Sequence, residues 1–323
     1  GAVMKIVELS VILPVRNIGA SISEILQYVS VQTKNINFEI IVVDMGSTDN
    51  TVLKAIKFIK ESKINGFVIQ NGNSTVSAAL NTGISKANGK YITFVFARRL
   101  YQNYLKVYLQ TAVETSADIV YGSINEEESI AAQRRLISKS ICQLSGADYI
   151  KYIINDKIFI DIAAILISSK FITEKQIRFN ELCSFGYSEE FVFRCLLEAD
   201  IISQAPYIIT RNHAFELKRG KQRPVGNSIF QHVDANLRIF DIIKTTQRKN
   251  TELIDLFEQQ KIPQTIMHGI DIILKEGTPY NSIRGFLRVL GYDKLLVTGK
   301  MTNKKLKRRI KIWRVIPWMY KPN

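Results

Sequence analysis

Short apolar runs alternate with helical patterns over the first hundred residues of the chain. Residues 9–13 form an apolar run that predicts a buried strand stopping at Pro14. Ser21 and Glu24 have the spacing of a capping box, and apolar residues between positions 22 and 29 recur at helical spacing. A buried strand followed by an amphipathic helix is therefore the first predicted unit of the fold.

The same alternation continues to residue 96. Residues 38–43 predict a second buried strand ending at Asp44, and the loop 46–49 offers N-cap side chains for a helix. The inward face of that helix is predicted from its apolar positions, Val52, Ile56 and Ile59. A strand at 67–69, a helix at 75–87 and a strand at 91–96 follow. Strands separated by single helices predict an α/β fold with a doubly wound, mostly parallel sheet.

Ligands bind to such sheets at the carboxyl ends of the strands. Three segments of this chain are predicted to lie along that rim: 14–17, 44–49 and 96–99. Candidate binding residues are therefore sought there first.

Beyond residue 99 the pattern shifts towards helices. A helix at 105–114 and a strand at 118–121 are predicted first, and four helices follow at 230–244, 251–260, 265–275 and 282–290. The segment 220–226 interrupts this periodicity. We therefore predict an α/β domain over 5–220, a C-terminal helical region over 227–302 and a basic tail over 303–323.

Charge is the strongest compositional signal. The formal net charge of +15 predicts an anionic partner, such as an anionic lipid, a phosphorylated substrate or a nucleic acid. The three cysteines form no CxxC pair, which argues against a disulfide framework or a zinc site and favours a reducing, cytoplasmic compartment. No apolar run reaches the roughly 18 residues expected of a membrane span.

Five segments together carry a family resemblance. In chain order they are LSVILPVRN, FEIIVVDMGSTDNT, AALNTGISKANGKYITF, SEEF and RNH. They resemble the family 2 glycosyltransferases of GT-A fold, over about two-thirds of the chain. The resemblance implies transfer of a sugar, with inversion, from a nucleotide-diphosphate donor to an acceptor hydroxyl, with Mg²⁺ or Mn²⁺ as the family default.

The resemblance assigns a nucleotide clamp to the first two rim segments. Pro14, Arg16, Asp44 and Asp49 occupy its positions, and Met45 replaces the second member of an acidic pair. A thioether packs against a ring but accepts no base N–H strongly. Asp44 and Asp49 have a structural alternative as capping residues of their own loop.

The third rim segment departs most from the family. Its Asp-x-Asp signature falls on Phe96-Ala97-Arg98, which offers no oxygen ligands from side chains for a divalent ion. We therefore expect no metal cofactor, with Arg98 and Arg99 compensating the diphosphate charge instead. His213 matches a metal- or diphosphate-binding histidine of some relatives. The alternatives are a structural His213 and two arginines that merely face solvent.

An acidic pair supplies the candidate base. By resemblance, Glu190 is the general base and Glu189 the neighbour that orients it. Carboxylates in a first helical turn also complement the helix dipole, which is the structural alternative.

The basic tail is the last informative segment. Leu306, Ile310 and Trp313 recur at helical spacing among lysines and arginines, and Trp318 follows. Such a pattern predicts a helix on an anionic membrane surface, or else a solvated charged face. No nucleic-acid-binding motif accompanies the charge, so nucleic acid is not expected as a partner.

The leading hypothesis is a glycosyltransferase on the inner face of the cell membrane. It would extend a surface glycan or a polyprenyl-diphosphate-linked acceptor in polysaccharide synthesis, alone, as a homo-oligomer or with a partner glycosyltransferase. The alternative is a non-catalytic relative that binds glycan and supports an active partner enzyme.

Overall fold

A computed structural model of the protein describes residues 6–140, 144–209 and 223–323. Seven strands form one sheet in the order β3-β2-β1-β4-β6-β5-β7. Their bounds are β1 Leu9–Val15, β2 Phe38–Asp44, β3 Gly66–Gln70, β4 Tyr91–Phe94, β5 Ile119–Ser123, β6 Leu166–Ser168 and β7 Ile202–Ile208. The α/β class and the doubly wound, mostly parallel sheet are confirmed.

One strand runs against the others. β6 pairs antiparallel with both β4 and β5. All other pairs are parallel: β3 with β2, β2 with β1, β1 with β4, and β5 with β7. β6 is only three residues long and lies in the Ile-rich segment after residue 150, to which the sequence assigned no strand. A run this short is indistinguishable from any other buried apolar segment by periodicity alone.

Strand β1 continues one residue past the proline that was expected to end it. Pro14 pairs with Val43 of β2. Ile12 accepts a hydrogen bond from the Val95 N–H, so Pro14, two residues later, faces the same neighbour, β4. Because β4 has already ended at Phe94, the missing N–H of Pro14 leaves no acceptor unpaired there.

Helices cover the sheet and build the C-terminal part of the chain. Their bounds are α1 Ile22–Gln32, α2 Thr51–Glu61, α3 Val76–Lys86, α4 Leu105–Thr115, α5 Glu126–Ser138, α6 Gly146–Ile154, α7 Ser169–Glu174, α8 Tyr187–Glu198, α9 Gln231–Thr246, α10 Thr251–Leu256, α11 Ile262–Lys275, α12 Tyr280–Leu290 and α13 Lys304–Val315. The predicted helices on either side of residue 263 are one continuous helical run, because a π-helical turn over Phe257–Lys261 joins α10 to α11.

The first two helices show where periodicity succeeds and where it misleads. α1 buries the predicted apolar face, although Ser21 makes no side-chain capping bond and the expected capping box is absent. α2 instead buries Thr51, Ala55 and Ile59, while Ile56 is 48% exposed. The small side chains Thr51 and Ala55 face inward because the loop bonds to the Thr51 hydroxyl and fixes the helix rotation.

The chain divides into two compact units. The sheet unit comprises the described residues of Gly1–Tyr149, Ile158–Leu182 and Arg194–Lys218, and it contains all seven strands. The helical unit comprises those of Ile150–Lys157, Cys183–Phe193 and Arg219–Asn323. The predicted boundary at 220–226 lies partly outside the described residues.

The basic tail is folded into the helical unit. Helix α13 packs against α11 and buries the stripe Leu306, Ile310 and Trp313. Asp271 of α11 accepts hydrogen bonds from Arg309, in the middle of α13, and from the Tyr320 hydroxyl, near the end of the tail. The apolar stripe of the tail therefore belongs to the protein's own core.

Candidate functional site

The carboxyl ends of β1 and β2 are joined by two interlocked loops. Asn17, in a left-handed conformation, accepts a hydrogen bond from the Thr48 N–H at 2.8 Å, and its own N–H donates to the Ser47 hydroxyl at 2.9 Å. The Ile18 N–H donates to the Thr51 hydroxyl at 2.9 Å. These cross-loop bonds hold the first two rim segments in one fixed arrangement.

The two rim aspartates serve this arrangement in different ways. Asp44 is buried, and its carboxylate accepts from the backbone N–H groups of Gly46 and Ser47, each at 3.2 Å. Asp49 is exposed and accepts from the Gly19 N–H and from the Thr51 hydroxyl, and the latter bond is the main cause of its lowered pKa. Both carboxylates therefore act as loop caps, the structural alternative that the sequence left open.

The other predicted clamp residues flank these loops. Pro14 is buried within β1, whereas Arg16, two residues further on, is exposed. Met45 is almost fully buried, and its N–H donates to the Val15 carbonyl. Of the clamp side chains, Arg16 is thus the exposed cation beside the loops.

The segment after β4 is a tight turn. Arg99 donates its N–H to the Phe96 carbonyl at 3.1 Å, which places Ala97 and Arg98 at the tip. The Arg98 side chain is exposed and takes part in none of the hydrogen bonds or ion pairs between described residues. Its charge is consequently available to a ligand.

Arg99 differs sharply from its neighbour. Its guanidinium donates to the Asp161 carboxylate at 2.9 Å, and Tyr101 donates its hydroxyl to the same oxygen at 2.6 Å. Asp161 is buried. The pKa of the Tyr101 phenol is raised, mainly because the phenol itself is buried and also because it is hydrogen-bonded to Asp161. The charge of Arg99 is therefore balanced within the sheet unit.

Asp161 was missed by sequence reasoning. It precedes a short 3₁₀ turn, Ile162–Ala164, and caps that turn by accepting from the Ala163 N–H at 3.0 Å. A charged residue in an otherwise apolar segment was the only signal, and its partner lies 62 residues away in the chain.

In the helical unit, the acidic pair opens α8. Glu190 is buried and receives two parallel hydrogen bonds from Arg238 of α9, Nε to Oε1 and Nη2 to Oε2, both at 2.8 Å. This fork fixes the orientation of the carboxylate. Both oxygens of the predicted base are engaged by one guanidinium.

Glu189 is held by two other partners. One oxygen lies 2.9 Å from Nε2 of His232, and the other accepts from Nζ of Lys261 at 2.6 Å. Burial alone would raise its pKa, but the Lys261 charge and the His232 bond overcome burial and lower the pKa to about 2. A carboxylate with so low a pKa is a poor proton acceptor at neutral pH.

Local backbone features place these partners. Lys261 is the last residue of the π-helical turn between α10 and α11, and such turns redirect side chains. Gly186 has φ of +78°, and a Cβ there would lie 2.4 Å from Cδ2 of His232. Arg238, His232 and Lys261 all follow residue 230, where sequence reasoning predicted helices but no site residues.

The described residues offer no cluster of side chains that is suited to a metal ion. Among the described residues, no group of three or more His, Cys, Asp or Glu side chains is arranged to hold a metal ion. The side chains of Phe96 and Arg98, where the sequence analysis expected the Asp-x-Asp signature, offer no oxygen ligand to a divalent cation. His213 lies outside the described residues.

The sheet unit contains most of a segment that matches a known protein family. Residues 10–172 match the model of glycosyl transferase family 2. The chain is 34% identical over 123 residues to glycosyltransferase GlyG and 35% identical over 127 residues to glycosyltransferase GlyA, both from Streptococcus pneumoniae. Each match covers 38% of this chain, and the chain spans only 40% of the length of GlyG and 18% of that of GlyA.

A solved structure shares the fold over most of the chain. Staphylococcus aureus TarS 1-349, solved in complex with UDP-GlcNAc, superposes with a TM-score of 0.54 at 17% identity. The superposition covers 95% of this chain and 87% of that one. It supports the GT-A architecture expected from the sequence.

Proposed function

The chain belongs to glycosyl transferase family 2, and we propose that it transfers a sugar from a nucleotide-diphosphate donor to an acceptor hydroxyl with inversion. One observation carries the proposal: the family match, residues 10–172, contains the interlocked loops and the exposed Arg98 at the strand ends. The UDP-GlcNAc in the TarS complex supports the class of donor.

The negative charge of the donor diphosphate is proposed to be compensated by arginine. Its negative charge grows as the bond to the sugar breaks, so fixed positive charge nearby lowers the barrier. Arg98 and Arg16 are exposed on the rim, while Arg99 is bound to Asp161. Arg98 is therefore the principal proposed contact, Arg16 and His213 its helpers, and the reaction is proposed to need no divalent ion.

Glu190 remains the proposed general base. Its carboxylate is oriented by Arg238, and each oxygen keeps a lone pair for the proton of the acceptor hydroxyl. Glu189, with its pKa of about 2, is assigned a positioning role towards His232 and Lys261.

The acceptor is proposed to be a surface glycan or a lipid-linked saccharide at the inner face of the cell membrane. In the described part of the chain, no helix has the length and apolar character needed to cross a bilayer. Because the stripe of α13 is buried, membrane contact is assigned to Val315, Trp318 and Met319, which are exposed, and to the exposed basic residues of the tail. Each such cation near an anionic surface contributes about 1 kcal/mol.

Vesicle co-sedimentation tests the membrane proposal. The double variant Trp318→Ala, Met319→Ala keeps the buried stripe and the Asp271 network, so it is expected to remain folded. Its binding to phosphatidylglycerol vesicles is expected to fall, and binding by the wild type is expected to weaken with added salt. If the variant binds vesicles as well as the wild type does, these two side chains are not the membrane contact.

Thermal shift with nucleotide-sugars tests the donor proposal. A panel of UDP-, GDP- and dTDP-sugars is measured in excess EDTA and again with MnCl₂. A ligand that binds the folded state raises the melting temperature. We expect a shift that persists in EDTA; a shift only with Mn²⁺ would show that the protein uses a metal.

A second candidate function is a non-catalytic subunit that binds glycan and supports an active partner glycosyltransferase. The observation favouring it is that both carboxylates of the acidic pair are occupied by cations. Saccharide binding without transfer from any donor in the panel would favour this candidate.

A further inference from the structure

Helix α5 packs on the sheet unit with one side only. Its inward side contacts β5 and β7, and of its residues, all of which the structure describes, Ala132 alone is buried. Glu128 and Arg135 also face this side, because both bond to the Gln204 side chain of β7, at 2.9 and 2.7 Å. The inward charges of α5 are therefore satisfied within the protein.

The outward side of α5 is a separate surface. Four residues at the spacing i, i+3, i+7 and i+10 lie on it: Glu127, Ile130, Arg134 and Ile137. All four are exposed, Ile130 by 47% and Ile137 by 72%. Isolated exposed apolar residues are ordinary on protein surfaces, so the two isoleucines by themselves do not indicate a partner. The charges beside them are more informative.

Neither charge of this outward face is used within the described part of the chain. Glu127 and Arg134 form no ion pair with a described residue. Neither has an opposite charge three or four positions away in α5, the spacing at which helical side chains pair. On α2, by contrast, the exposed Lys57 pairs in this way with Glu61. Both charges of the outward face are thus available to a partner molecule.

The outward face is complementary to itself. Its centre is the point between Ile130 and Ala131, and Glu127 lies as far before this centre as Arg134 lies after it. Both charges lie on the same flank of the face. Two α5 helices that pair antiparallel about a two-fold axis through this centre bring these flanks together. Glu127 of each copy then stands at the level of Arg134 of the other, so the ion pair forms twice.

The isoleucines follow the same symmetry. Ile137 lies as far after the centre as Ile124 lies before it, and Ile124, which directly precedes the N-cap residue, is 39% exposed. In the antiparallel pair, Ile137 of each copy reaches the level of Ile124 of the other, while Ile130 of both copies lies near the axis. A parallel pair would instead align each Glu127 with Glu127 and each Arg134 with Arg134, and these like charges repel.

We infer that the outward face of α5 binds a second copy of this chain in an antiparallel, two-fold pair. The face is acidic in its first turn and basic towards its end, so a partner of one charge sign would suit only half of it. An inverted second copy suits both halves. A helix of 13 residues is about 20 Å long, which makes the contact small and the dimer reversible. No donor-site residue takes part, so the inference holds whether or not the chain transfers sugar.

Sedimentation velocity on the full chain, over a series of micromolar concentrations, tests the inference. We expect the wild type to pass from monomer to dimer as the concentration rises. Glu127→Arg and Arg134→Glu, made singly, should each weaken association at least about tenfold, because like charges then meet on both sides of the axis. The double variant with both reversals exchanges the two partners of the ion pair and should associate as the wild type does.

Matched controls separate this contact from a general effect of charge. Lys34→Glu and Glu24→Arg make the same charge changes at exposed positions of the sheet unit outside α5, and they should dimerise as the wild type does. Ile130→Lys places two like charges at the axis and should leave the chain monomeric. The melting temperature of its dilute solution should match that of the wild type, because the side chain it replaces is exposed.

Three outcomes would overturn the inference. They are a wild type that stays monomeric at every concentration, single reversals that dimerise as the wild type does, and a double variant whose association stays weakened.

Discussion

The strand-end rim of the sheet unit and the acidic pair of the helical unit differ in how their charges are balanced. At the rim, Arg98 is exposed without a partner among the described residues, and the two aspartates cap backbone N–H groups. In the helical unit, every oxygen of Glu189 and Glu190 faces a cation or the His232 ring. The rim therefore presents a positive charge that can bind an anion, whereas the carboxylates of the acidic pair are already engaged by Arg238, His232 and Lys261.

The ion pair between Arg238 and Glu190 is compatible with two different roles. A bidentate arginine fixes a carboxylate rigidly, which serves either a positioned base or a structural cross-link between α8 and α9. A rate measurement separates these roles, because only the base acts on the reacting proton.

The largest effect is expected from Glu190→Gln. The amide keeps the shape of the side chain but cannot take a proton, so transfer should fall by about 10²–10⁴-fold while the thermal shift with donor stays unchanged. Product formation from the donor identified in the panel provides the measurement. Transfer at the wild-type rate in this variant would remove Glu190 from the mechanism and leave Arg238 and Glu190 as a structural pair.

A smaller effect is expected at the rim. Arg98→Glu reverses the exposed charge proposed to meet the diphosphate, and donor affinity should drop at least about tenfold, because a hydrogen bond to a charged group contributes about 1.5–3 kcal/mol. Titration of the nucleotide-sugar measures the affinity. Arg134→Glu, an equally exposed reversal on α5, is the control and should bind donor like the wild type.

The neighbouring arginine should respond in a different measurement. Arg99→Gln removes the guanidinium from buried Asp161, so the free energy of unfolding should fall by about 1 kcal/mol, discounted because the Arg99 side chain is 52% exposed. Urea denaturation measures this change in the free energy of unfolding. If this variant loses donor affinity as Arg98→Glu does and keeps its stability, the contrast between the two arginines is wrong.

The last expected effect concerns Glu189, and it is an effect on the pH dependence of stability rather than on transfer. Its pKa is about 2 in the folded protein against an ordinary value of 4.5, so the folded state gains stability above about pH 4.5 and loses it as the pH falls towards 2. Glu189→Gln should therefore flatten the acid limb of stability between these values. Denaturant midpoints at several pH values test this, and an unchanged acid limb would contradict the lowered pKa.

Much of the sheet unit followed from local patterns. β2 and the apolar face of α1 lie where the sequence placed them, because a strand buried on both faces is a continuous apolar run and a helix packed on a sheet repeats its apolar residues every 3.6 positions. The rotation of α2 was predicted wrongly, since the bonds between its first residue and the loop after β1 decide which face turns inward.

The candidate site was predicted only in part. Family motifs led to Arg98, Asp44 and Glu190, but nothing local indicated Asp161 or Arg238. Their partners are 62 and 48 residues away in the chain. The residues next to a charged side chain in the sequence do not indicate which distant residue it will contact. The tail showed the same limit: its amphipathic pattern was correct, yet it did not reveal that α11 would cover the apolar side.

By itself, the sequence determined the order of strands and helices over the first hundred residues and the α/β class of the sheet, and it predicted the strand-end segments that are proposed to bind the donor, with no side-chain carboxylate at residues 96–99. These depend on residue types and on short-range spacing, which the chain carries directly. The tertiary structure alone decided which of two adjacent arginines keeps its charge free and which cations hold the acidic pair. Coulombic compensation and desolvation depend on distances of a few ångströms between remote residues, and only folding sets those distances.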